Sequence, residues 1–240
     1  MITVEICVET IPALRAAEAA GADRVELCAC LDVGGLTPSQ GLMRLAAEHD
    51  IPARVLIRPR AGGFVYDADE LAIMAGDIAA ARALGLAGVV LGAVRPDGRL
   101  DREALMRLLE ACEGLATTLH RAFDLTPDPF ESLEAAAALG FDAILTSGQA
   151  PSAAAGAALL AGLTAQAQGR IAILAGGGIR PGNVEALVRV TGVPGVHASC
   201  RRSREAPDPA ADLFGFGQDP RGPDAGAMRR LADAARRAAC

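Results

Sequence analysis

Residues 3–28 read TVEICVETIPALRAAEAAGADRVELC. An alternating aliphatic run comes first, then an Ala-rich stretch that opens at Thr10-Ile11-Pro12 and closes at Gly21. A second run, Val25-Glu26-Leu27-Cys28, nearly repeats Val4-Glu5-Ile6-Cys7. Period-two runs flanking a helical stretch predict one strand–helix–strand passage. The rhythm continues outward from it. Strands are expected over Thr3–Val8, Arg24–Cys28, Ala53–Arg58, Gly88–Leu91, Thr117–Phe123, Ala143–Thr146, Ile171–Ala175 and Gly195–Ser199, with apolar residues at helical spacing between them. Helix starts are marked by Thr10, Thr37, Asp67, Asp101 and Thr126, and stops by Gly21, Gly85 and Gly140. Strand starts fall roughly 27 residues apart, which is a βα period. Eight such units over residues 1–240 predict an α/β fold of one domain, a (β/α)8 TIM-type barrel. An open doubly wound sheet is second choice, because no Gly-x-Gly-x-x-Gly follows the first strand. Only residues 201–226, dense in Pro, Gly, Asp and Arg, break the rhythm. They read as an irregular solvated loop after strand 8, on the face where a lid or phosphate cup would sit.

All 23 basic residues are arginines. The absence of lysine excludes Schiff-base aldolase, pyridoxal-phosphate and P-loop chemistry, each of which needs an ε-amino group. A net charge of −6 argues against a nucleic-acid partner. No apolar run of about 18 residues predicts a membrane span, and Met1–Glu5 lacks the pattern of a signal peptide. A cytoplasmic protein is expected, with its six cysteines mostly reduced. Cys112 and Cys240 read as structural, and Cys30 lies close enough in sequence to join Cys28.

In a barrel, side chains alternate inward and outward, and the C-terminal strand ends face the functional mouth. Glu5 with Cys7 and Glu26 with Cys28 should point inward, while Val4, Ile6, Val25 and Leu27 meet the helices. Arg54, Leu56, Arg58 and Arg60 share a face, so Arg58 should enter the mouth, paired with Glu5 or Glu26 or awaiting an anion. Strand 5 should carry Thr118, His120 and Ala122 on one face and Arg121 and Phe123 on the other, with Asp124 beyond. The Gly176-Gly177-Gly178 run exposes backbone amides where such barrels hold phosphate, although glycines equally serve tight turns.

One reading of these residues is a lyase, isomerase or hydrolase for a small anionic metabolite. Arg58 and Arg60 would neutralise the anion, and Arg121, Ser147 and Gly176–Gly178 would help to hold it. His120 would shuttle a proton, Glu5 or Glu26 would be the opposing base, and Asp124 could share the proton transfer. The two glutamates with His120, His197 or Asp124 could alternatively hold a divalent cation.

Glu5-Ile-Cys-Val-Glu9, Gly21-Ala-Asp-Arg-Val-Glu-Leu-Cys28, Gly34-Gly-Leu-Thr-Pro-Ser39, Ile57-Arg-Pro-Arg60, His120-Arg-Ala-Phe-Asp124, Leu145-Thr-Ser-Gly-Gln149 and Ala175-Gly-Gly-Gly-Ile179 together resemble the CutC family. The likeness runs from residue 2 to about residue 202. It implies a cytoplasmic (β/α)8 barrel, usually a homo-oligomer, linked by name to copper homeostasis. It also implies Cu(I) held by Cys7 and Cys28, for which soft thiolates are suited. Copper or a small anion is therefore the expected partner. After Ser199 the chain departs from the family pattern, with Cys200, two arginines and a Pro-rich loop.

Overall fold

The computed structural model describes residues 2–202, 210, 213–214 and 222–238. Its elements alternate as the sequence predicts: β1 (Thr3–Val8), α1 (Ile11–Ala19), β2 (Arg24–Leu27), α2 (Gln40–Ala46), β3 (Ala53–Leu56), α3 (Ala68–Ala83), β4 (Gly88–Leu91), α4 (Arg102–Ala111), β5 (Ala116–Leu119), α5 (Pro129–Leu139), β6 (Ala143–Thr146), α6 (Ala157–Ala167), β7 (Ala172–Ala175), α7 (Val184–Thr191), β8 (Gly195–Ala198) and α8 (Ala225–Ala238). All neighbouring strands pair in parallel, and β8 returns to β1 to close a (β/α)8 barrel. Among the described residues no helix is long and apolar enough to cross a membrane. Most of the 201–226 segment, and Cys240, lie outside the described residues.

Helix starts follow the expected capping chemistry at three places. The Thr10 side chain accepts from the Ala13 amide, Asp67 and Glu70 form a capping box, and Asp101 accepts from Ala104. Two expected caps are corrected. Ser39 rather than Thr37 caps α2, and Asp128 rather than Thr126 caps α5. Thr37 Oγ1 accepts instead from the Arg58 amide, and Thr126 Oγ1 donates to the Phe123 carbonyl.

Outward strand residues, including Val4, Ile6, Val25, Leu27, Val55 and Ile57, join Leu14, Met43, Met74 and Ile78 of the helices in the main core. Inside the barrel the apolar content is small. Cys7, Cys28, Leu56 and Val90 form one cluster, and Ala143, Leu145 and Leu174 another. The remaining interior is polar. Glu5 bonds Arg24, its direct neighbour in the β1–β2 register, and Arg54 donates to Thr118 Oγ1 at 2.6 Å. Such pairing offsets the cost of burying charge at the barrel waist, with Glu26 the exception.

Four strands end earlier than the sequence suggests. β2 stops at Leu27, β3 at Leu56, β5 at Leu119 and β8 at Ala198. After β5 the chain turns at once into a 3-10 helix over Arg121–Leu125, because the His120 ring caps it by accepting from the Ala122 amide. That turn ends the expected alternation. Phe123 is fully buried in the core, whereas Arg121 borders the cavity described below.

Candidate active site at the barrel mouth

The C-terminal strand ends enclose a cavity of about 290 Å³. Its wall takes Cys7 from β1, Glu26 from β2, Arg58 after β3, His120 after β5 and His197 from β8. Three residues proposed to act together, Arg58, His120 and Glu26, thus border one open space. Arg121, Gly177, Gly178 and Arg201 complete its polar rim.

Glu5 lies beneath this floor and is fully buried. One oxygen accepts from Arg24 Nε, and Oε1 is 2.8 Å from His197 Nδ1. Burial alone would raise its pKa, but the His197 hydrogen bond and charge, then Arg24, hold it at about 2. His197 moves the other way. Burial opposes its protonation, yet Cys7, Glu26 and Glu5 around the ring lift its pKa well above the ordinary value. Glu5 and His197 therefore form a buried carboxylate–imidazolium pair across the β1–β8 seam, where the two residues are register partners.

Glu26 has no such partner. Its Oε2 is buried without a hydrogen bond, 3.8 Å from His197 Nδ1. Burial pushes its pKa up to about 7; His197 opposes the rise and the neighbouring Glu5 charge adds to it. The two glutamates that look alike in sequence are thus driven apart. The one beside Arg24 stays ionised until pH falls toward about 2, and the one facing the cavity titrates near neutrality.

Arg58 pairs with neither glutamate, contrary to one expectation. Its guanidinium donates to the carbonyls of Val33, Gly35 and Gly62 and lies 5.0 Å over the Phe64 ring. Arg24 takes Glu5 instead, being directly opposite on β2, while Arg58 is drawn to the loops that follow β2 and β3. Arg60 leaves the shared face altogether. It bonds Glu70 and the carbonyls of Gly63 and Val65 and does not border the cavity.

Asp124 is likewise structural in its contacts. It accepts from the Ser147 and Gln149 amides, from Thr146 and Ser147 hydroxyls and from Arg121, which ties the β5 turn to the end of β6. Ser147 is buried behind Arg121, whose Nη2 donates to it at 2.7 Å. Gly176 gives its amide to Thr146, so of the glycine run only Gly177 and Gly178 reach the cavity. Both have positive φ, +94° and +73°, a backbone shape that glycine adopts freely. Neither amide has an acceptor among the described residues.

The thiols differ in access. Cys7 borders the cavity, within hydrogen-bonding reach of His197. Cys28 is fully buried and donates to the Val8 carbonyl at 3.5 Å; burial, with Cys7 and Glu26 adding, pushes its pKa well above the usual thiol value. For a divalent cation, Glu5, Glu26 and His197 each bring one ligand-type atom within 4.8 Å of the others, while His120 and Asp124 stand apart from this group. Glu5 is already committed to Arg24 and His197, so a cation would have to displace a proton and compete with a guanidinium.

A model of the CutC family matches residues 2–202. The chain belongs to the CutC family. A CutC family protein of Agrobacterium fabrum is 53% identical over 197 residues, 82% of this chain and 78% of the relative. One from Sinorhizobium medicae is 49% identical over 235 residues, 98% and 93% of the two chains. The crystal structure of a CutC from Streptococcus agalactiae, whose description names copper homeostasis, superposes with a TM-score of 0.80 at 38% identity, covering 83% of this chain and 99% of that one. The family's tie to copper homeostasis is thus one of name.

His197 and Arg24 are the site residues that sequence reasoning underused. His197 figured only as an alternative cation ligand, and Arg24 not at all. The signal was present. Barrel closure puts β8 beside β1, and alternation with Val196 turned outward leaves His197 facing Glu5.

Proposed function

We propose that this CutC protein is an enzyme of lyase, isomerase or hydrolase type acting on a small anionic metabolite in the mouth cavity. The reading rests on Glu26, a buried carboxyl with one oxygen that no hydrogen bond holds, in the wall of a cavity rimmed by arginines. A group titrating near 7 both accepts and delivers a proton at neutral pH. Arg121, Arg201 and the Gly177 and Gly178 amides supply the charge and donors for an anionic group. A volume of about 290 Å³ sits at the low end for ligand pockets and limits the substrate to a small molecule. Arg58 holds the loops that shape the wall, and Glu5 orients His197. In a thermal-shift and calorimetric screen of small phosphates and carboxylates, wild type should bind one class 1:1. Arg121→Met should weaken it on the order of tenfold, and Glu26→Gln should bind but not turn over. A screen in which no anion stabilises the protein contradicts the reading.

Cu(I) binding is a second reading, favoured by the packing of Cys7 and Cys28 in one interior cluster. Cys7 and Cys28 would hold the ion, with a proton lost from Cys28, so affinity should rise with pH. Titrating the reduced protein decides it: stoichiometric tight binding that survives in Cys7→Ser/Cys28→Ser rules out these ligands. A cytoplasmic homo-oligomer completes the account on the strength of the family, and sedimentation velocity tests the assembly.

A further inference from the structure

Four residues of the cavity wall carry a buried polar atom without a hydrogen-bond partner, Arg58 Nε, Arg201 Nε, Glu26 Oε2 and His120 Nε2, and the last two differ in kind. Glu26 Oε2 can take a proton, whereas His120 Nε2 can only give a hydrogen bond. His120 is 5% exposed, and its Nδ1 accepts from the Ala122 amide at 3.1 Å. With that lone pair committed, the proton of the neutral ring sits on Nε2. The ring is wedged in place. Phe64 lies against it with centroids 4.6 Å apart, and a Cβ at Gly92 would stand 2.6 Å from it. A second proton is excluded at ordinary pH, since burial drives the His120 pKa down to about 3 and the Arg58 charge adds to the effect. His120 therefore does not shuttle protons.

We propose that His120 is a fixed, neutral hydrogen-bond donor to a carbonyl oxygen, and that the substrates of this cavity are small anionic carbonyl compounds with an acidic C–H beside the carbonyl. This deepens the metabolite reading above and rests on it. Phosphate or carboxylate oxygens find guanidinium donors at Arg121 and Arg201, which are also ion-paired with Asp124 and with Glu9 and Asp32. An uncharged donor set beside Phe64 suits an oxygen that is neutral on arrival and gains charge during reaction. In the step so defined, the Glu26 carboxylate removes the proton from the adjacent carbon. The C–H pair becomes the C=C bond, and the carbonyl π pair moves onto oxygen, which stays hydrogen-bonded to Nε2–H. Return of the proton from Glu26 to that carbon restores the carbonyl with the hydrogen exchanged or the centre inverted. No oxidant, reductant or second substrate enters.

The full-length reduced protein with 15N-labelled histidine tests the ring directly, His120→Gln assigning its signals among the three histidines. His120 should remain the neutral Nε2–H tautomer from about pH 5 to about pH 8. A protonated ring, or the Nδ1–H tautomer, overturns the proposal without any ligand. Binding supplies the second arm, with glycerol 3-phosphate, dihydroxyacetone phosphate and the enediolate mimic phosphoglycolohydroxamate as probes. The hydroxamate should bind tighter than glycerol 3-phosphate by on the order of tenfold or more, and His120→Phe should lose that preference while still binding glycerol 3-phosphate. Equal affinity of wild type for hydroxamate and glycerol 3-phosphate overturns this inference and leaves the metabolite reading standing. If all three probes and inorganic phosphate fail to bind, the metabolite reading falls as well.

Discussion

At the scale of single residues, two glutamates in nearly identical four-residue motifs acquire opposite characters. Arg24 and His197 hydrogen-bond Glu5, whereas Glu26 Oε2 has no hydrogen bond and only His197 at 3.8 Å. The consequence is a pH signature in stability. Glu26 has a raised folded pKa, so its contribution is fully present below about 4.5 and is lost as pH rises through about 7. Glu5 has a lowered folded pKa, so its contribution is present above about 4.5 and lost as pH falls toward about 2. Urea melts of Glu26→Gln should therefore show a variant more stable than wild type near pH 8, by on the order of 1–3 kcal/mol, with the difference gone near pH 4. Such a gain at the expense of function is common at sites that hold an uncompensated group. Both glutamates and both cysteines are legible in sequence as inward residues, because β1 and β2 keep strict alternation. Their partners are harder to read. Arg24 opens its strand, His197 closes the barrel 192 residues away from Glu5, and neither contact is local.

At the scale of elements, strand and helix order follow from periodicity and caps, whereas the strand ends do not. Alternation holds through His120 and fails at Arg121, because the His120 ring accepts from the Ala122 amide and starts a 3-10 turn that no apolar pattern marks. Arg60 escapes its predicted face for the same kind of reason. The β3 strand stops at Leu56, and Glu70 of α3 captures the guanidinium. At the β5–β6 junction Asp124 braces the chain. Asp124 satisfies amides and hydroxyls of the β6 end and also orients Arg121. Asp124→Ala leaves those buried donors unpaired and should lower stability by about 2–4 kcal/mol in denaturant unfolding. Anion binding should weaken through Arg121, with the pH dependence of any turnover unchanged. A shifted pH profile would return Asp124 to the proton-transfer machinery.

At the scale of the whole molecule, the ring of helices closes through α8, which packs between α1 and α7. Met228, Leu231, Ala232 and Ala235 are buried there, and Arg236 donates to the Gly21 carbonyl at 2.6 Å. Leu231→Ala should cost about 2–5 kcal/mol as a core cavity, read as a lower midpoint in urea. Probe affinity at the mouth should stay unchanged in the folded protein. The division of labour is that of its fold: an apolar shell between strands and helices provides stability, and a polar interior opening at the C-terminal ends provides chemistry. The central claim is that this interior holds a carboxyl poised at neutral pH. Carbon-13 NMR of the reduced protein with labelled glutamate side-chain carboxyls measures it most directly, with Glu26→Gln identifying the resonance. Glu26 should titrate with a midpoint of about 7, and a midpoint in the ordinary carboxylate range, near 4.5, would show that no such carboxyl is present.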